Sequence, residues 1–192
     1  MIPPDPLEAL TAIGSTFEAL GVRWYIGGSV ASSARGLARA SLDVDIVADL
    51  RPGQEVAIAT SLRESYYVSE EAIRDAIRDR GSFNAIHLPT GLKIDVFLPS
   101  GRAFDRQALD RAVPESLGPD GTSARYPVAT AEDIIVAKLE WYQRGGRVSQ
   151  RQWSDVLGVL RTSGPTIDLR YLEITAASLD LSDLLRQALE EA

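Results

Sequence analysis

Cysteine is absent from the 192 residues, so the chain has no disulfide, no thiolate metal ligand and no cysteine nucleophile. Histidine occurs once, at His87, which excludes zinc sites built from Cys and His and argues against a histidine-centred mechanism. A hydrogen-bonded structural role suits that residue better. Lysine is nearly missing too, since of 20 basic residues only Lys93 and Lys138 are lysines. No run of about 18 apolar residues exists to span a bilayer. The opening Met1-Ile2-Pro3-Pro4-Asp5 also lacks the basic and apolar regions of a signal peptide. A soluble, cytoplasmic protein without membrane association is therefore expected. Positive charge is in deficit, and a net charge of −7 disfavours a broad polyanion-binding surface, although local basic patches are compatible with it. Internal repeats and low-complexity tracts are absent as well. What remains is an ordinary globular composition, 45% hydrophobic, long enough for one sizeable core or a small core with an attached helical lobe.

Against that background one stretch stands out: Gly27-Gly28-Ser29, then thirteen intervening residues, then Asp43-Val44-Asp45-Ile46. Side chains alternate along a strand, so Asp43 and Asp45 point to one side while Val44 and Ile46 pack inward. Two crowded carboxylates repel unless a cation lies between them, and paired hard oxygen ligands suit Mg²⁺ together with substrate phosphates. Upstream, Gly27, Gly28 and Ser29 form a close-approach loop at a helix N-terminus, where free backbone N–H groups favour a phosphate. A third acid follows in Lys93-Ile94-Asp95-Val96-Phe97-Leu98, which alternates with Asp95 outward. The run Phe83 to Leu88 reads as its hairpin partner across Pro89-Thr90-Gly91.

A Gly-Gly-Ser loop, a strand with Asp-x-Asp and a lone Asp on a later strand, in that order, resemble the nucleotidyltransferase superfamily with the DNA polymerase β-like palm. Within it, Gly36-x-x-Arg39-x-Ser41-x-Asp43-x-Asp45 is similar to minimal bacterial nucleotidyltransferases, including the AbiEii toxin type. Ala131 to Leu139 and Arg151 to Leu157 resemble the helical-lobe motifs of that group, so the likeness covers roughly residues 22 to 160. The resemblance implies two Mg²⁺ ions, or Mn²⁺, held by Asp43 and Asp45. Asp95 would ligate one of them and accept or orient the attacking hydroxyl. It also implies Gly28 and Ser29 at the departing phosphates, Arg39 and Ser41 shaping the strand entry and touching the nucleotide, and Asp155 near the acceptor or the lysine. Lys138, a lone ammonium in an otherwise apolar helix, must snorkel or meet an anion, and a triphosphate would serve. The implied partners are an NTP and an acceptor hydroxyl, on RNA such as a tRNA end or on a small molecule of the aminoglycoside kind. A protein antitoxin would accompany the toxin reading. A non-catalytic nucleotide-binding or antitoxin-like module stands as the alternative from another class.

The expected architecture is α/β (α+β), a mixed-sheet palm over residues 1–128 and a helical lobe over 129–192. Asp5 as N-cap with Pro6 at N1 opens a first helix whose stripe is Leu7, Leu10, Ile13, Phe17 and Leu20. Strands follow at 24–26, 42–47 and 66–68, with helices after Ser29, after Pro52 and over 70–78, before the 83–98 hairpin. Past a short helix at 104–111, the turn-rich Gly118-Pro119-Asp120-Gly121 region reads as a connection. Thr130 caps the first of the helices that run to the end, broken at Gly145-Gly146 and Gly164-Pro165. Arg144, Arg147 and Arg151 cluster at the first break, either as a basic rim for phosphate or RNA or as a solvated turn.

Overall fold

The computed structural model describes residues 6–35, 43–117 and 124–192. Asp5, Arg39, Ser41 and the turn at 118–121 lie outside them. Contacts divide the chain into two units, Met1–Gly27 with Ser41–Val128, and Gly28–Ala40 with Ala129–Ala192.

The first unit is built on strands β1 (Trp24–Ile26), β2 (Asp43–Ala48), β3 (Tyr66–Tyr67), β4 (Ser82–His87), β5 (Lys93–Phe97), β6 (Val113–Ser116) and β7 (Arg125–Val128). They form one sheet in the order β3-β4-β5-β2-β1-β7-β6. It is mixed: β2 runs parallel to β5 and β1 parallel to β7, while the other neighbours are antiparallel. β4 alternates strictly between buried and exposed positions and β2 and β5 between buried and half-buried ones, so one face of the sheet is covered and the other more open. Helix α3 (Glu55–Leu62) packs on both α1 (Pro6–Ala19) and α4 (Glu70–Asp79), and α4 packs on β4. Leu10, Ile13 and Phe17 of the expected stripe are fully buried, whereas Leu20 is half-buried. α4 is capped by Ser69, whose hydroxyl accepts from the Ala72 N–H, and closes on Arg80 in the left-handed region. A further helix, α5 (Ala103–Arg111), begins at a box in which Asp105 accepts from the Arg102 backbone N–H at 3.2 Å and from its guanidinium at 2.9 Å.

One expectation is corrected here: the region after α5 is not merely a connection, because β6 and β7 pair and extend the sheet beyond β1. Prolines in both segments hide the strand pattern. Register sets Pro114 opposite Pro127, so both missing N–H groups fall at one rung, which lets two proline-bearing segments pair.

The second unit contains α2 (Gly28–Arg35), α6 (Ala131–Arg144), α7 (Gln150–Ser163), a 3₁₀ turn at Gly164–Thr166, α8 (Leu169–Ser178) and α9 (Ser182–Glu191). Thr130 caps α6 as expected, accepting from the Asp133 N–H. α6 packs along α7, and α2 contacts both. Trp153 of α7 stacks on Tyr142 of α6 at 5.1 Å and donates its indole N–H to Glu191 of α9 at 2.8 Å. The Tyr171 hydroxyl donates to Asp133 at 2.6 Å, which ties α8 to the start of α6. Among the described residues no helix is long and apolar enough to cross a membrane.

Candidate active site

Strand β2 carries Asp43 and Asp45 on its open side because Val44 and Ile46 are drawn into the core. β5 repeats the pattern, burying Ile94 and Val96 and leaving Lys93, Asp95 and Phe97 on the same side. Parallel register then sets Asp45 opposite Asp95 and Asp43 opposite Lys93. Neighbouring strands lie about 4.8 Å apart, so three carboxylates and one ammonium share two adjacent rungs of a single sheet face. The Lys93 Nζ is 2.7 Å from Asp95 Oδ2. Its hydrogen bond to Asp95 holds the ammonium above the usual lysine range against a small desolvation penalty, helped by the fields of Asp95, Asp43 and Asp45.

The open face continues on the far side of β5. Asn84 of β4 is opposite Asp95, Ile86 is opposite Lys93, and Tyr67 of β3 is opposite Ile86. Both apolar groups are in solvent, Tyr67 with 70% of its surface exposed. An amide beside the acids and an aromatic-aliphatic shelf beyond them thus extend the face. Lys93, Asn84, Ile86 and Tyr67 were not among the candidate site residues, although the period-2 spacing of Lys93 to Asp95 signals a shared face in the sequence itself. The shelf depends on the pairing of β3 with β4, for which a two-residue strand carries little signal.

His87 lies on the opposite, buried side of β4, with Nδ1 2.8 Å from the Thr90 hydroxyl and its ring 5.0 Å from Tyr66. It closes the β4–β5 hairpin and does not face the acids.

Gly27 ends β1 beside the acid strand, its N–H donating to the Asp45 carbonyl at 2.9 Å. Gly28 then starts α2 with φ of 55°, a left-handed conformation that glycine adopts without a Cβ penalty. Ser29 is buried in the first turn, and the Ser32 hydroxyl donates to the Gly28 carbonyl at 2.7 Å. In the second unit Lys138 is buried, with 8% of its side chain exposed, and it meets an anion of the protein itself. Its Nζ lies 2.8 Å from Asp155 Oδ2 and 3.2 Å from the Gln152 side-chain oxygen. Lys138 and Asp155 are thus brought together across α6 and α7. At the following turn Arg144 pairs with Glu140 at 2.7 Å, while Arg147 and Arg151 are exposed.

No protein-family model and no curated protein matches the chain. Solved structures do. The solution structure of antibiotic-resistance factor ANT(2'')-Ia superimposes with a TM-score of 0.58 at 16% identity, covering 97% of this chain and 95% of that one. The crystal structure of ANT(2'')-Ia in complex with adenylyl-2''-tobramycin gives 0.58 at 14% identity over 91% and 97% of the two chains. An antigenic nucleotidyltransferase-like protein from Paracoccidioides brasiliensis gives 0.52 at 13% identity over 98% and 94%. The fold is therefore that of nucleotidyltransferases. The AbiEii type is not singled out by these likenesses.

Proposed function

We propose that this chain is a nucleotidyltransferase that moves a nucleoside monophosphate from an NTP to the hydroxyl of a small, positively charged acceptor, with release of pyrophosphate. The observation that carries the reading is the placement of Asp43, Asp45 and Asp95 on adjacent rungs of one open sheet face. The nucleotidyltransferase fold around them supports it.

Carboxylate oxygens are the donors that Mg²⁺ or Mn²⁺ prefers, so the donor set fits a divalent ion in kind. As the side chains stand, no group of three or more among the described residues converges to hold a metal, and Asp95 is engaged by Lys93. Asp43 and Asp45 would be the principal ligands, with Asp95 joining them. A bound ion would neutralise charge on the transferring phosphoryl group and polarise it. Asp95 orients the acceptor hydroxyl and takes its proton at a carboxylate oxygen. The acceptor oxygen forms its bond to the α-phosphorus as the bond to the bridging oxygen breaks, and the electron pair leaves with pyrophosphate. Positioning and charge complementarity supply the catalysis, and no covalent enzyme intermediate is required. On the sequence likeness, Gly27, Gly28, Ser29, Arg39 and Ser41 are assigned to the nucleotide, whereas Lys138 and Asp155, which that likeness assigns there too, are paired with each other.

A net charge of −7 and an acidic face favour a cationic acceptor over a polyanion. Tyr67 and Ile86 offer such a molecule a shelf for its rings. A second reading keeps RNA as the acceptor, in the manner of a toxin with an antitoxin partner. It is favoured by the exposed Arg147 and Arg151 at and after the turn between α6 and α7, and by Trp141 of α6, which is 53% exposed. Incubation with Mg²⁺, each NTP labelled at the α-phosphate, aminocyclitol antibiotics and total tRNA separates the two. Label on the small amines is the expected result, label on tRNA favours the second reading, and no label with no pyrophosphate overturns the enzyme.

A further inference from the structure

Lys93 occupies an unusual position for one of only two lysines in the chain. It stands two residues before Asp95 on β5 and so shares its face, its Cα is the register partner of Asp43, and its Nζ lies 2.7 Å from Asp95 Oδ2. Asp95 keeps 15% of its side-chain surface exposed and Lys93 44%, so the ammonium paired with the carboxylate sits on a flexible and more exposed stem.

We infer that Lys93 is the resident counter-ion of the carboxylate face, holding Asp95 in place of a divalent ion and releasing it when metal enters. The inference rests on the reading of Asp43, Asp45 and Asp95 as the metal-binding face. Its physical basis is competition for Asp95 Oδ2: a metal that takes this oxygen in its inner sphere must displace the ammonium 2.7 Å away, and an ammonium so close also repels a divalent ion at the other oxygen. With the ammonium in place, Asp95 contributes little to metal affinity until Lys93 swings out. Without it, Asp95 no longer shares its charge with an ammonium and draws a divalent ion more strongly. Lys93 is thus a positioning residue, acting through Asp95 on metal occupancy.

The test is Mn²⁺ binding measured by calorimetry in the absence of nucleotide on the full chain and on Lys93→Gln, Asp95→Asn, the double variant and Asp45→Asn. Circular dichroism and thermal unfolding check each fold. Lys93→Gln is expected to bind Mn²⁺ about tenfold more tightly, equivalent to about 1.4 kcal/mol. In the Asp95→Asn background the same change should give less than a twofold gain, because the competed carboxylate is gone. A gain of equal size in both backgrounds would reduce Lys93 to long-range charge and overturn the inference. Unchanged affinity in Lys93→Gln would overturn it as well. Should Mn²⁺ binding be lost in Asp45→Asn yet indifferent to Lys93, only the lysine's role fails. Should the parent chain bind no Mn²⁺, or bind it equally after Asp45→Asn, the metal-face reading fails and the lysine's role with it. Lys93→Met repeats the measurement without a hydrogen-bonding amide.

Discussion

Asp105 shows how a single carboxylate can be tuned by opposing effects. Burial alone would raise its pKa, but hydrogen bonds from the Arg102 guanidinium and the Ser100 hydroxyl, the latter at 2.6 Å, outweigh that and hold it below the usual carboxylate range. A depressed folded-state pKa adds stability that is fully present above the unfolded value of about 3.9 and is lost as pH falls through the folded one. Asp105→Asn should therefore cost about 1–2 kcal/mol at pH 7, with the gap to the parent closing below pH ~4. Urea unfolding across that range checks it, and a gap independent of pH would refute the charge argument. Lys138 makes a sharper case. Removing one partner of a buried pair strands the other, so Lys138→Met should cost about 3 kcal/mol, while Lys138→Met with Asp155→Leu recovers most of it. Intact stability in the single variant with weakened NTP binding would instead assign the ammonium to phosphate. Tyr67 is expected to act on the acceptor alone: Tyr67→Ala should raise the acceptor KM about tenfold and spare kcat, the signature of lost uniform binding. A loss confined to kcat would remove it from the acceptor shelf.

At the scale of elements, α1 carries a constraint that helix propensity alone would misjudge. A Cβ added at Gly14 would lie 3.0 Å from the Trp24 ring, which is itself boxed in by Phe17 at 6.0 Å and Tyr126 at 6.4 Å. Gly14→Ala gains about 1 kcal/mol of helix propensity but overpacks a fixed indole at a cost of about 1–3 kcal/mol, so net destabilisation of about 1 kcal/mol is expected. Thermal unfolding followed by tryptophan fluorescence reads both effects, and a raised Tm would show that the indole yields. The same physics explains what was legible beforehand. β2, β4 and β5 were readable because their alternation is complete and one face is buried, and the cap at Thr130 because its hydroxyl meets a backbone N–H group. β6 and β7 were not, since each is four residues long with a proline, and their pairing is decided by contacts distant in the chain. The family resemblance put Asp155 near the acceptor or the lysine, but its pairing with Lys138 depends on how α6 and α7 pack, which no spacing rule contains. Lys93 was readable in spacing, but its significance required the register of β5 on β2.

For the molecule as a whole, the central claim is that one open face of the sheet, carrying Asp43, Asp45 and Asp95, is where nucleotidyl transfer takes place. An overall charge of −7 makes that face one part of a broadly acidic protein, so binding of cations there is not by itself proof of chemistry. Transfer is. The most direct measurement is the rate of label transfer from α-phosphate-labelled NTP in Mg²⁺ by the parent chain and by Asp45→Asn, with matched unfolding curves confirming equal folding. The expected result is measurable transfer by the parent and a loss of about a thousandfold in the variant, corresponding to about 4 kcal/mol of transition-state stabilisation. Equal rates in the two proteins would contradict the assignment of the chemistry to this face.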